Sequence, residues 1–127
     1  MPEGILINGV ELVGAYDIDD VIGKDFVERH KLPTKYNSYE EMLRNVDAVY
    51  VSTPHLSHYE LTKKALISKK DVLCEIPLTL NASQSKELYE IAEQQGVILM
   101  EAHKTAHCPA FNHLMVMIKS GVIGEVV

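Results

Sequence analysis

Cysteine is scarce in this 127-residue sequence. It has two, Cys74 and Cys108, both beside apolar residues. Two thiols make no disulfide framework, and with no export signal in view the expected setting is a reducing cytoplasm. The opening stretch "MPEGILINGVELVGAY" lacks both the basic region and the long apolar core of a secretory leader. No apolar run approaches the roughly 18 residues that a membrane-spanning helix needs. Positive charge is short as well: 12 Lys and Arg against 18 Asp and Glu give a formal net charge of −6. Nucleic acid and anionic membranes both require a basic surface, so neither is expected as a partner. Lys63, Lys64, Lys69 and Lys70 cluster at the end of one predicted helix and read as a solvated face. Internal repeats and low-complexity segments are absent too. What remains is 46% hydrophobic and 24% charged, an ordinary globular composition in a length that suits one domain.

Short apolar runs alternate with helical stretches, the pattern of a parallel sheet wrapped by helices. "VELVGAY" (10–16) predicts a strand ending at Asp17. Residues 19–30 predict a helix with Ile22 and Phe26 four apart, although Gly23 weakens it by about 1 kcal/mol. Pro33 closes that unit, and Ser38 with Glu41 forms a capping box for a short helix. "DAVYVST" (47–53) is too apolar to have one wet face and predicts a central strand. Pro54 breaks it, and Ser57 with Glu60 offers a capping box for a helix to about residue 68. Residues 71–75 predict a strand. A helix follows with Leu88, Ile91 and Ala92 on its buried stripe and Gly96 as its stop. Residues 97–102 predict another strand. Pro109 opens a last helix carrying Phe111, Leu114, Met115 and Ile118, and Gly121 ends it. The closing "GVIGEVV" reads as the start of an unfinished strand.

Several positions invite chemistry. Asp17, between a strand and a helix, is an N-cap or a surface acid on one reading. On the other it is the acid that accepts hydrogen bonds from a nucleotide ribose. "STPHLSH" (52–58) follows a buried strand, where the carboxyl ends of parallel strands border ligand crevices. There Pro54 and the first amides of the next helix could line a cofactor beside His55 and His58; the plainer reading is a strand-to-helix turn. Glu101, His103, His107, Cys108 and His113 suggest a metal. However, no Cys-x-x-Cys or His-Glu-x-x-His pattern is present, and Pro109 breaks the shared helical face. No metal site is expected.

The motifs in order are more specific than any one of them. A strand ending in Asp, then "STPxxxH", "VLCE-x-P", "LMEAH" and "P…SGVIGEV" together resemble the glucose-fructose oxidoreductase, inositol dehydrogenase and MocA family. "MEAHKTAHCPAF" is similar to its dihydrodiol dehydrogenase branch. The resemblance implies an α/β fold: an incomplete Rossmann-like parallel sheet with helices on both faces. It implies an NAD(P)-dependent oxidoreductase acting on sugars, polyols or diols, in which Asp17, Thr53, Pro54, His55, His58, Glu75 and Pro77 line the NAD or NADP site. His55 stands where the family often has Asn. The charge of Asp17 leans toward NAD, since it would repel a 2′-phosphate.

Two departures temper that. The family's first strand, Gly-x-Gly-x-x-Gly turn and helix do not appear in residues 1–127, which are expected to be a truncated cofactor domain. Residues 121–127 would open a missing C-terminal α/β domain. Without the glycine cradle, two charge-assisted hydrogen bonds to the pyrophosphate would be lost, about 3–6 kcal/mol, so cofactor binding is expected to be weak or absent. The second departure is Ile76, where the family has a lysine that serves as proton donor or relay; isoleucine has no titratable group. No catalytic residue is therefore expected in this chain, which would be inactive alone. A non-catalytic module that self-associates or binds nucleotide weakly is the alternative, with a metal-binding protein behind it. The missing strand would be the central one of the order 3-2-1-4-5-6. Three repairs are open: direct pairing of 10–16 with 47–53, a hairpin about Asn8-Gly9, or a homo-oligomer covering the unpaired edge, which is the one expected.

Overall fold

Two parallel ladders organise the chain, as seen in a computed structural model that describes residues 9–124. The first is short. Strand β1 (Gly14–Ala15) leads into helix α1 (Asp20–His30) and returns as β2 (Thr34–Lys35), which pairs with β1 in parallel. After helix α2 (Tyr39–Arg44), the second ladder is built from β3 (Ala48–Val51), α3 (His55–Ile67), β4 (Asp71–Cys74), α4 (Ala82–Gln95) and β5 (Leu99–Glu101). Its order is β3-β4-β5, all parallel, with Tyr50 opposite Leu73 and Leu73 opposite Met100. A 3-10 turn (Lys104–His107) and α5 (Pro109–Lys119) follow. The α/β class and the parallel pairing are as the sequence predicts.

Local chemistry explains most boundaries. Asp19 caps α1 by accepting from the amides of Val21 and Ile22; Ser38 and Asn81 cap α2 and α4 by accepting from Glu41 and Gln84. Glu41 reaches back to the amide of Asn37 at 2.9 Å, one residue before the expected partner. Gly96 ends α4 at φ 67°, a left-handed conformation that glycine adopts at no steric cost. The expected Ser57 cap is not found. Helix α3 begins three residues earlier, after Pro54, and the Ser57 hydroxyl sits inside it, 2.8 Å from Thr53 Oγ1 and 2.7 Å from the Pro54 carbonyl.

Other expectations shift. The predicted strand 10–16 narrows to Gly14–Ala15, and its partner is β2, which the sequence pattern did not reveal. Direct pairing with β3 does not occur among the described residues. The Asn8-Gly9 hairpin and the end of the unfinished strand lie partly outside those residues; within them, 10–12 are not in a strand and 121–123 form a turn. In α1 the predicted pair Ile22 and Phe26 splits. Ile22 is exposed, and the helix turns Gly23, Phe26 and Val27 inward instead.

The core lies on one side of the second ladder. Val49, Val51, Val72 and Cys74 alternate inward against Ala65, Leu66, Leu88 and Ala92 of α3 and α4, joined by Tyr39 and Leu43 of α2. The opposite face carries Tyr50, Leu73 and Met100 in one register row, each 37–41% exposed. No described residue of α5 is buried. No helix among the described residues is long and apolar enough to cross a membrane.

Candidate functional site

The carboxyl ends of β3 and β4 each give way to a turn, and the two turns meet at His58. After β3 the chain runs through Thr53 and Pro54 into α3; after β4 it runs through Glu75, Ile76 and Pro77 to Leu78, with a cis Ile76–Pro77 peptide. His58, on the first turn and a half of α3, is completely buried. Its Nε2 lies 2.7 Å from the Thr53 carbonyl and its Nδ1 2.8 Å from the Pro77 carbonyl. Thr53, Pro54, His58, Glu75 and Pro77, five of the residues singled out in the sequence, thus lie on the two turns and the helix start that meet at His58.

Two residues that the sequence reading did not place there hold the second turn as well. Glu101, at the end of β5, accepts from the amide of Leu78 at 2.8 Å. Tyr50 donates its hydroxyl to the Glu75 carboxylate, while the Glu75 amide continues the ladder to Val51 O at 2.9 Å. Partial burial, then the neighbouring carboxylate, pushes the Tyr50 phenol above its ordinary value. Glu101 was visible only as one acid of a histidine-rich stretch, and Tyr50 only as a strand residue. Their common signal is position, at or near the carboxyl end of a parallel strand. Ile76 sits at the tip of the pinned turn, 47% exposed, with no ionisable group.

His55 lies at the rim. It is exposed, its ring 5.6 Å from that of His58 and edge-on to it, and it lines a shallow cleft of about 200 Å³ with Leu56, Tyr59, Thr79, Asn81 and Gln84. Asp17 is not part of this cluster. It follows β1 in the other ladder, half-buried, and its Oδ1 accepts from the Asp19 amide at 2.8 Å. The N-cap role belongs to Asp19, so Asp17 organises the turn and leaves its second carboxylate oxygen without a hydrogen bond among the described residues. His103 approaches Glu101 at 3.1 Å, but among the described residues no three His, Cys, Asp or Glu side chains could hold a metal.

A dinucleotide fits this layout at its ends. A free carboxylate oxygen after β1 suits ribose hydroxyls, and two strand-end turns with the uncapped first amides of α3 suit the nicotinamide half. The pyrophosphate finds no glycine-rich turn among residues 9–124.

Comparison with known proteins identifies the fold and the family. Residues 5–103 match the model of an oxidoreductase family with an NAD-binding Rossmann fold, that of glucose-fructose oxidoreductase, inositol dehydrogenase and MocA. The trans-1,2-dihydrobenzene-1,2-diol dehydrogenase of Xenopus tropicalis is 33% identical over 119 residues, covering 92% of this chain and 36% of that protein. The enzyme of the same name from Mus musculus is 35% identical over 118 residues, covering 91% and 35%. Among solved structures, KijD10, a 3-ketoreductase from Actinomadura kijaniata in complex with NADP and TDP-benzene, superposes with a TM-score of 0.89 at 32% identity, covering 98% of this chain and 38% of that one. The chain therefore spans about a third of the length of the relatives it matches. With motif order, strand topology and relatives in agreement, the chain belongs to the glucose-fructose oxidoreductase, inositol dehydrogenase and MocA family of oxidoreductases.

Proposed function

We propose that residues 1–127 are a cofactor-handling portion of an NAD(P)-dependent oxidoreductase of the sugar, polyol or diol class, and that on its own this chain binds the cofactor weakly and turns nothing over. The observation that carries the reading is the pair of turns after β3 and β4, which meet at His58, in a chain whose strands pair in parallel as β1-β2 and β3-β4-β5. The nicotinamide, when bound, would give or take a hydride. The chain's own residues would orient it: Asp17 would accept from ribose hydroxyls, Thr53 and Pro54 would wall one side, and Glu75 and Pro77 the other. Ile76 stands where a proton would have to pass and can neither hold nor deliver one.

Weak binding follows from the unmade pyrophosphate contacts. Losing about 3–6 kcal/mol corresponds to roughly a hundredfold to ten-thousandfold in affinity. Titration of NADH and NADPH fluorescence with the purified chain should give dissociation constants near the millimolar range. Micromolar binding would overturn the weak-binding part of the reading. Ile76→Lys should leave that affinity within about twofold, because the side chain is half exposed and its turn is fixed by other groups.

One observation favours a second reading, a self-associating module without catalysis. The row Tyr50, Leu73 and Met100 leaves one face of the second ladder open. Sedimentation velocity should then show a dimer at tens of micromolar. A monomer throughout would end that alternative.

A further inference from the structure

Two apolar surfaces of this chain lack a cover, and they suit each other. The first is the row Tyr50, Leu73 and Met100, on the face of the second ladder opposite the core. The second is α5. Ala110, Leu114 and Met117, spaced i, i+4, i+7, form an exposed stripe along it, and no described residue of the helix is buried. Its main neighbour is the 3-10 turn Lys104–His107 and not the ladder. We propose that the open face of the second ladder receives α5 from a second copy of this chain, and that the exchange is reciprocal, closing a two-fold dimer. The inference rests on the self-associating reading above and adds to it the two surfaces that meet.

Size, area and charge each support that partner. An 11-residue helix is about 16 Å long and about 10 Å wide. Three strands of up to four residues present a face of about 13 Å by 10 Å, so one helix covers the row. The chain exposes 9061 Å² in all, where a compact monomer of 14.2 kDa exposes about 6,800 Å². Counting every residue outside 9–124 at its full unfolded-chain area removes about 1,800 Å². The rest still exceeds a compact body of its size by about 900 Å². A standard interface hides about 800 Å² on each partner, so one reciprocal contact accounts for the excess. Stacking sheet on sheet would leave α5 bare. Charge favours the same pairing. Each copy carries a net −6, yet α5 alone among the five described α-helices has no Asp or Glu, and the row adds none. Lys119 at the end of α5 is opposite in sign to Glu75, which Tyr50 holds at the end of the row.

The test uses the whole chain. Isotope-filtered NMR on an equimolar mixture of carbon-13-labelled and unlabelled chains should show the Met117 methyl of one copy against the Leu73 and Met100 methyls of another. The same contacts confined to one chain, with α5 folded back on its own sheet, would overturn the proposal, as would no contact at all. Sedimentation velocity gives a second readout. Leu73→Lys and Leu114→Glu, both at exposed positions, should each weaken dimerisation by at least about tenfold. Mixing the two variants should restore it to within about threefold of wild type, because one half of the mixed dimer then pairs opposite charges and the other half is unaltered. Wild-type affinity in Leu114→Glu would overturn the role of α5 while leaving self-association standing; a wild-type monomer at all concentrations would end both. If a variant does not fold, the wild-type NMR decides alone. None of these readouts involves NAD(P), so the cofactor reading stands or falls separately.

Discussion

The two ladders are held together by different physics. The second, β3-β4-β5 with α3 and α4, contributes most of the core: Leu66, Leu88, Ala65 and Cys74 are fully buried there. The first, β1-α1-β2, has Gly23 and Tyr36 as its buried residues and relies on polar contacts at its surface. Asp20 pairs with Lys24 and Lys35, and the hydrogen bonds to those lysines pull its carboxyl down to about 2. Such exposed pairs contribute little and are screened by salt. The bridge between the units is aromatic, with Tyr16 against Tyr39 and centroids 6.1 Å apart. The difference teaches that the turns meeting at His58 rest on a well-buried scaffold, while Asp17 sits on a lightly anchored one.

The harshest way to break that contrast is in the scaffold. Leu66→Ala should cost about 2–5 kcal/mol and lower the denaturant midpoint for the whole chain, because Leu66 packs at the centre of the core with no exposure. Gly14→Ala attacks the other unit. An added Cβ would stand 2.4 Å from the Thr34 carbonyl oxygen and 2.7 Å from the Tyr36 ring, so β1 and β2 must part. The expected cost is about 1–3 kcal/mol. Hydrogen exchange should rise between residues 14 and 36 while the second ladder stays protected; a uniform rise would erase the distinction between the units.

Tyr39→Phe tests the bridge more gently. Its hydroxyl donates to Leu61 O at 2.9 Å, so removal should cost about 1 kcal/mol at neutral pH. Burial, reinforced by Cys74 and Glu40, raises this phenol above its ordinary value near 10. A raised folded-state value gives stability that is complete below about pH 10 and is lost as pH climbs through the folded value. Wild-type stability should therefore fall more steeply than that of Tyr39→Phe above pH 10, measured by urea unfolding. The smallest effect is expected at Gly23. A Cβ there meets Asp17 Cβ at 3.4 Å and Lys35 Cε at 3.5 Å, ordinary contact distances. Gly23→Ala should stabilise α1 by about 0.5–1 kcal/mol, and destabilisation would show that α1 and the Asp17 turn are closer than they can tolerate.

Much of this was legible in the sequence, for identifiable reasons. Caps at Ser38 and the stop at Gly96 are local, so they read correctly. The stripe Leu88, Ile91 and Ala92 read correctly because helical periodicity records burial. β2 escaped because two residues, Thr34 and Lys35, carry no alternation to detect. The Ser57 cap failed because Pro54 had already opened the helix, which the serine spacing could not reveal. Motif order singled out Thr53, Pro54, His58, Glu75 and Pro77, which lie on the two turns that meet at His58 and on the start of α3. The contributions of Tyr50 and Glu101 depend on contacts 25 and 23 residues distant in sequence, which no local pattern records.

The register row of Tyr50, Leu73 and Met100 also bears on how the molecule behaves in solution. A net charge of −6 opposes the stacking of such stripes at neutral pH. Near the isoelectric point, about 5.4, that repulsion disappears while the greasy stripe remains. Acidification should therefore precipitate this protein long before it unfolds.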